Sequence, residues 1–163
     1  MPEFDYVLGP LKVSQEATFD MKELYKLGRA WYSKHGYDFY EKEYISSFKE
    51  EGKNASIKWE GDKKVDDYIK FHVDVRVKFK NLREIQGKKK IMNIGEASFS
   101  VESYIERDYE SNWDVGFMTK FIRGVYDTFV IRGKIDKDKQ RLASEANELY
   151  HEIRTFLKVH QPR

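Results

Sequence analysis

A chain of 163 residues, 40% hydrophobic, 36% charged and 15% aromatic, is long enough for one core and too rich in large apolar side chains to stay disordered. Thirty basic and 28 acidic residues leave a net charge of +2, without the one-sided basic excess of a dedicated nucleic-acid binder. The lack of cysteine excludes disulfides, thiolate metal sites, iron–sulfur clusters and a cysteine nucleophile, and fits a reducing, cytoplasmic location.

Met1 to Pro10 hold no basic segment followed by an apolar run, so no secretory signal is expected. No stretch approaches the ~20 apolar residues of a membrane span. Residues 1–163 read as a single domain without linker, repeat or low-complexity tract.

Phe4 to Val13 is aromatic and β-branched enough for a strand, interrupted at Gly9-Pro10. Pro10 cannot donate to a ladder, which predicts an edge position or a bend. Thr18 or Asp20 can cap the next helix. On that helix Leu24, Gly28, Trp31 and His35, with Leu27 beside them, recur at three- and four-residue steps, and Gly36 is placed to end it. Tyr37 to Phe48 reads as a strand with Tyr40, Tyr44 and Phe48 on one parity and Phe39 and Ile45 on the other. Both of its faces are expected to be covered for part of its length. Past a turn at 50–53, Ala55, Ile57 and Trp59 alternate with Ser56, Lys58 and Glu60.

The clearest signal spans 69–79. Ile69, Phe71, Val73, Val75, Val77 and Phe79 alternate without a break against Lys70, His72, Asp74, Arg76 and Lys78. Such a pattern describes a strand with one buried and one wet face. Ala97, Phe99, Val101, Ser103 and Ile105 alternate in the same way, whereas Met92 and Ile94 fall on the opposite parity. A β-bulge at Gly95 is therefore expected. Trp113 to Ile131 carries a broad apolar stripe at helical spacing, with Gly133 marking its end. A final helix, begun by Asp136 or Asp138, places Leu142, Ala146, Leu149, Ile153 and Phe156 at steps of four and three.

This order predicts an α+β fold. It is a two-layer domain in which an antiparallel meander of four to five strands is covered on one face by an N-terminal helix and two C-terminal helices. The order of elements resembles helix-grip domains of the lipid-transfer and polyketide-cyclase type, which implies a curved sheet wrapped around a long C-terminal helix.

Three sets of residues invite a chemical reading. His72, Asp74 and Arg76 share one strand face, and Glu96, Glu102 and Tyr104 share a face of the neighbouring strand. An imidazole beside carboxylates can bind a metal or move protons. Any alternating strand gives the same spacing, however, and cross-strand ion pairing on a solvated face accounts for it. His35, His151 and His160 stand alone, without a second histidine at helical spacing, so no metal and no cofactor is expected.

Gly87-Lys88-Lys89-Lys90, with Arg83 nearby, forms the one local excess of positive charge. Arg83, Lys88, Lys89 and Lys90 are the anion-binding candidates, against a plain reading as a solvated hairpin whose lysines discourage edge pairing. Trp113, Phe117, Phe121 and Tyr126 are ligand-cavity candidates on the aromatic helix, where burial in the core is the default.

No nucleophile elbow, phosphate loop, dinucleotide fingerprint or calcium loop is present. The residues thus favour a non-enzymatic binding or assembly protein that self-associates, as a homo-oligomer or with a protein partner, by burying surplus apolar helix surface. The alternatives are a helix-grip carrier of small hydrophobic ligands and a weak nucleic-acid or ribosome-associated factor using the 78–90 hairpin.

Overall fold

The computed structural model describes residues 3–107, 109, 124–125 and 132–159. Strand β1 (Glu3–Phe19) leads into helix α1 (Met21–Lys34). Strands β2 (Asp38–Lys49), β3 (Gly52–Lys64), β4 (Ile69–Gln86) and β5 (Ile91–Arg107) follow, and helix α2 (Arg132–Val159) is the last described element. The strands form one sheet in the order β1-β5-β4-β3-β2, antiparallel throughout. The class is α+β, and the first strand closes beside the last.

Two helices are described where three were expected. Trp113 to Ile131 lies outside the described residues, apart from Gly124 and Val125, which are helical. Gly133 does not end a helix but sits in the first turn of α2. Ile135 explains the earlier start: it is buried and lies seven residues, two turns, before Leu142 on the same stripe. Among the described residues no helix is long and apolar enough to cross a membrane.

Helix α1 begins at Asp20 rather than Thr18. The backbone of Asp20 is extended, and its Oδ1 accepts a hydrogen bond from Lys22 N at 3.0 Å. Gly36, at φ +77°, turns the chain after His35 into Tyr37, whose N–H donates to Tyr32 O at 2.8 Å.

The core lies between the helices and the odd-numbered residues of the central strands. Trp59, Phe71, Val73, Val75, Phe79, Val101 and Ile105 are at most 1% exposed. They pack beneath Leu24, Trp31 and Tyr32 of α1 and Leu142, Ala146, Leu149 and Ile153 of α2. Truncating one such side chain typically costs about 2–5 kcal/mol. The narrow stripe of α2 is therefore consumed within its own fold, with Leu157 completing it and Phe156 only half-buried.

Three departures from regular pairing shape the sheet. In β1 the register shifts twice, between Tyr6 and Leu8 and between Leu8 and Leu11. Gly9-Pro10 is accommodated there because β1 is an edge strand. The second departure lies opposite Gly95 and not within β5. Strand β4 bulges between Lys80 and Arg83, with Asn81 at φ +54°. The bulged backbone comes so close that a Cβ on Gly95 would stand 3.0 Å from Leu82 Cα and from Lys80 O. Strand β5 itself keeps its alternation, and Met92 and Ile94 sit on the outer face across from Ile85 and Arg83. The third is a bulge in β2 between Glu41 and Glu43, which reverses the faces downstream of it.

Candidate functional site

Strand β2 is the clearest exception to the rule that apolar residues in this sheet are covered. Among the described residues it pairs with β3 on one side only, and no strand lies along its other side. Coverage of both faces was expected, yet only Phe39 is half-buried, against Tyr32 and Trp59. Tyr40, Tyr44, Ile45 and Phe48 are 44%, 50%, 63% and 83% exposed.

The bulge at Lys42 also divides them between two faces. Tyr44 lies opposite Ile57 and Phe48 opposite Lys53, on the helix side of the sheet. Tyr40 lies opposite Glu60 and Ile45 opposite Ser56, on the outer side. Lys53 Nζ donates to the Tyr44 hydroxyl at 2.8 Å and lies 5.7 Å from the centre of the Phe48 ring. The two rings and their cation form an ordered, solvent-facing patch.

The outer face of the sheet carries the second concentration of chemistry. Register places Asp62, His72 and Tyr104 in one cross-strand row, Glu60, Asp74 and Glu102 in the next, and Lys58, Arg76, Ser100 and Lys12 in the third. His72 does not meet Glu96 or Glu102. Its Nε2 lies 2.7 Å from Glu106 Oε2, and its ring stacks on Tyr104 with centroids 4.6 Å apart. Tyr6 and Phe4 pack against the same Tyr104 ring. Glu96 lies opposite Lys80, three rows from Asp74, and accepts from the Ser14 hydroxyl at 3.3 Å.

Asp74 is the unusual member of this face. It is 7% exposed, and its Oδ1 has no hydrogen-bond partner. Burial, reinforced by Glu60 and opposed in part by Lys58, pushes its carboxyl up to about 7. Glu60 itself is held by Lys58 at 2.9 Å. Asp74 stands at one end of an open groove of about 700 Å³ that crosses β4, β5 and β1, with Arg76, Lys78 and Lys12 further along it.

Arg83, Lys88, Lys89 and Lys90 are all exposed at the β4–β5 end of the sheet. Gly87 N donates to Lys90 O at 2.8 Å to close the turn. Lys90 is drawn away from its neighbours to the start of α1, 2.8 Å from Asp20 and 3.9 Å from Glu23. The cavity candidates Trp113, Phe117, Phe121 and Tyr126 lie outside the described residues. Among the described residues no group of three histidine or carboxylate side chains has the geometry to hold a metal ion.

Lys12, Ser14, Ser98 and Ser100 of the groove were not singled out in the sequence. Their only signal was an even position on an alternating strand, which every wet-face residue shares. Compared with protein-family models and with curated proteins, the chain matches none.

Proposed function

We infer that the protein is a non-enzymatic binding and assembly protein that self-associates, and that β2 of one copy pairs with β2 of another. The observation that carries this reading is the exposed apolar edge: a 12-residue strand with no neighbour on one side among the described residues and four large apolar side chains open to solvent. The apolar surplus sits on this strand and not on α2, whose stripe is buried.

A second copy is favoured over another partner because the strand complements itself. In an antiparallel two-fold pairing centred on Ser46, Phe48 stands across from Tyr44 of the second copy and Lys49 across from Glu43. Each pair occurs twice, and each contributes about 0.2–1 kcal/mol beyond the backbone ladder. Set against the entropy of association, that total supports a dimer with a dissociation constant in the micromolar range.

Light scattering on size-exclusion peaks from about 1 to 300 µM should show a shift from monomer to dimer. Tyr44→Glu with Phe48→Glu places like charges across from each other in both pairs and should hold the chain monomeric with an unchanged melting temperature. A wild-type chain that stays monomeric throughout, or a double variant that dimerises as well as wild type, overturns the reading.

A further inference from the structure

The outer-face groove has two ends of opposite sign. Asp74 and Glu102 line one end, and Lys12, Arg76 and Lys78 line the other. Ion pairs occupy many charges elsewhere on this face, including Lys58 with Glu60 and Lys70 with Asp62. The three groove cations, by contrast, have no ion pair among the described residues. Arg76 and Lys78 project from alternate positions of β4, and Lys12 projects from β1 on the far side of β5, so all three border one groove.

At the other end, Asp74 is over nine-tenths buried and Oδ1 lacks a partner. A carboxyl in this position is left short of a hydrogen bond that a bound donor can supply, and an unmet buried acceptor costs about 1–3 kcal/mol. The hydroxyls of Ser98 and Ser14 are joined by a 2.8 Å hydrogen bond beside the cations and add polar floor.

We propose that this groove binds a small zwitterion in which a phosphate seats among Lys12, Arg76 and Lys78 and an ammonium group pairs with the Asp74 carboxylate. The charges favour this class over a simple anion. Three cations outweigh two carboxylates by one, and a dianionic phosphate joined to one ammonium carries the opposite net charge. The Asp74 row and the Arg76 row are two residues apart on their strand, about 7 Å. That spacing asks for a short linker between the charged groups. Arg76 can take two phosphate oxygens in its planar fork, and the lysines serve as point charges.

An ammonium group also recruits the ionised form of Asp74, so binding near neutral pH displaces a proton. Several groups face that carboxyl: Glu60 and Lys58 from β3, Arg76 from its own strand, Glu102 and Tyr104 from β5, and Tyr32 through the sheet from α1. The net effect of the charged neighbours and burial leaves Asp74 largely protonated below neutrality, and the ligand's cation reverses this.

The test is isothermal titration of the full chain with 3-aminopropyl phosphate, propyl phosphate and inorganic phosphate. The aminoalkyl phosphate should bind at least tenfold tighter than either control. At pH 6.5, runs in buffers of different ionisation enthalpy should report proton release for it alone. Asp74→Asn should erase the tenfold advantage and the proton release while leaving propyl phosphate binding in place. Asp74→Ser provides the same comparison if Asp74→Asn alters folding, and Arg76→Gln should weaken both alkyl phosphates. Equal affinity for the two alkyl phosphates, an advantage that survives Asp74→Asn, or no binding at millimolar concentration overturns the proposal.

Discussion

Lys63 Nζ lies 3.2 Å from both carboxylate oxygens of Glu145, tying the end of β3 to the middle of α2. The same ammonium donates to His35 O at 2.9 Å, and the Tyr37 hydroxyl donates to Glu145 Oε2 at 2.7 Å. Arg141 Nε approaches Glu145 from one turn away at 3.4 Å. Burial lowers the Lys63 ammonium from its ordinary value, and Glu145 opposes that shift. One carboxylate thus holds the C-terminal end of α1, the edge of β3 and α2 in a single network.

Removing that carboxylate strands its partners. Glu145→Ala should cost about 3 kcal/mol, the low end for breaking a largely buried pair. Replacing both partners, Lys63→Met with Glu145→Leu, should recover most of the loss. Urea unfolding midpoints of Lys63→Met, Glu145→Leu and the double variant check this. Strict additivity would show that the pair is not coupled.

Asp74 should make stability fall as pH rises. The unfolded carboxyl releases its proton near 3.8, and the folded one holds it to about 7. The folded state therefore binds more protons between these values, and its stability declines across that window. The shift corresponds to a loss of up to about 4 kcal/mol once pH exceeds 7. Chemical denaturation at pH 5 and pH 8 should show the slope in the wild type. Asp74→Asn should flatten it and be the more stable protein at pH 8.

Gly61 has no room for a side chain. A Cβ there would collide with the Tyr32 ring, which is fully buried and fixed by its hydroxyl donating to Val73 O at 2.9 Å. Gly61→Ala should cost about 1–3 kcal/mol through overpacking. Gly133→Ala, in the first turn of α2 with nothing within 4 Å, should be neutral or stabilise by up to about 1 kcal/mol. Thermal melts of the two variants should separate in opposite directions from wild type. Equal melts would refute the assigned contact.

The start of α1 depends on Asp20. Asp20→Ala should cost about 1 kcal/mol by removing the cap of Lys22 N, and Asp20→Asn should restore most of it. Lys90, which holds the Asp20 carboxyl below its usual range, should then keep only the more distant Glu23 as a partner. Hydrogen exchange at Lys22 and Glu23 checks the cap.

Strand faces and helix stripes were legible in the residues because their periods are local. Val73, Val75 and Val77 alternate with Asp74, Arg76 and Lys78 whatever lies beside them, and Leu142, Ala146 and Leu149 form a stripe on any helix. The same local logic misjudged β2. A one-residue bulge at Lys42 turns Tyr40 to the opposite face from Tyr44, and the two described helices cover β3 but leave most of its neighbour exposed.

Composition, alternation and helical spacing were thus enough to determine the α+β class, the buried face of each central strand and the end of α1 ahead of Gly36. Only the tertiary structure decided that β1 lies beside β5, that Lys63 meets Glu145 and that Asp74 shares a groove with Lys12 and Lys78. The physical reason is range. Alternation follows from the geometry of one strand, whereas register, bulges and charge convergence depend on which distant segments are placed together, and no short stretch of chain encodes that by itself.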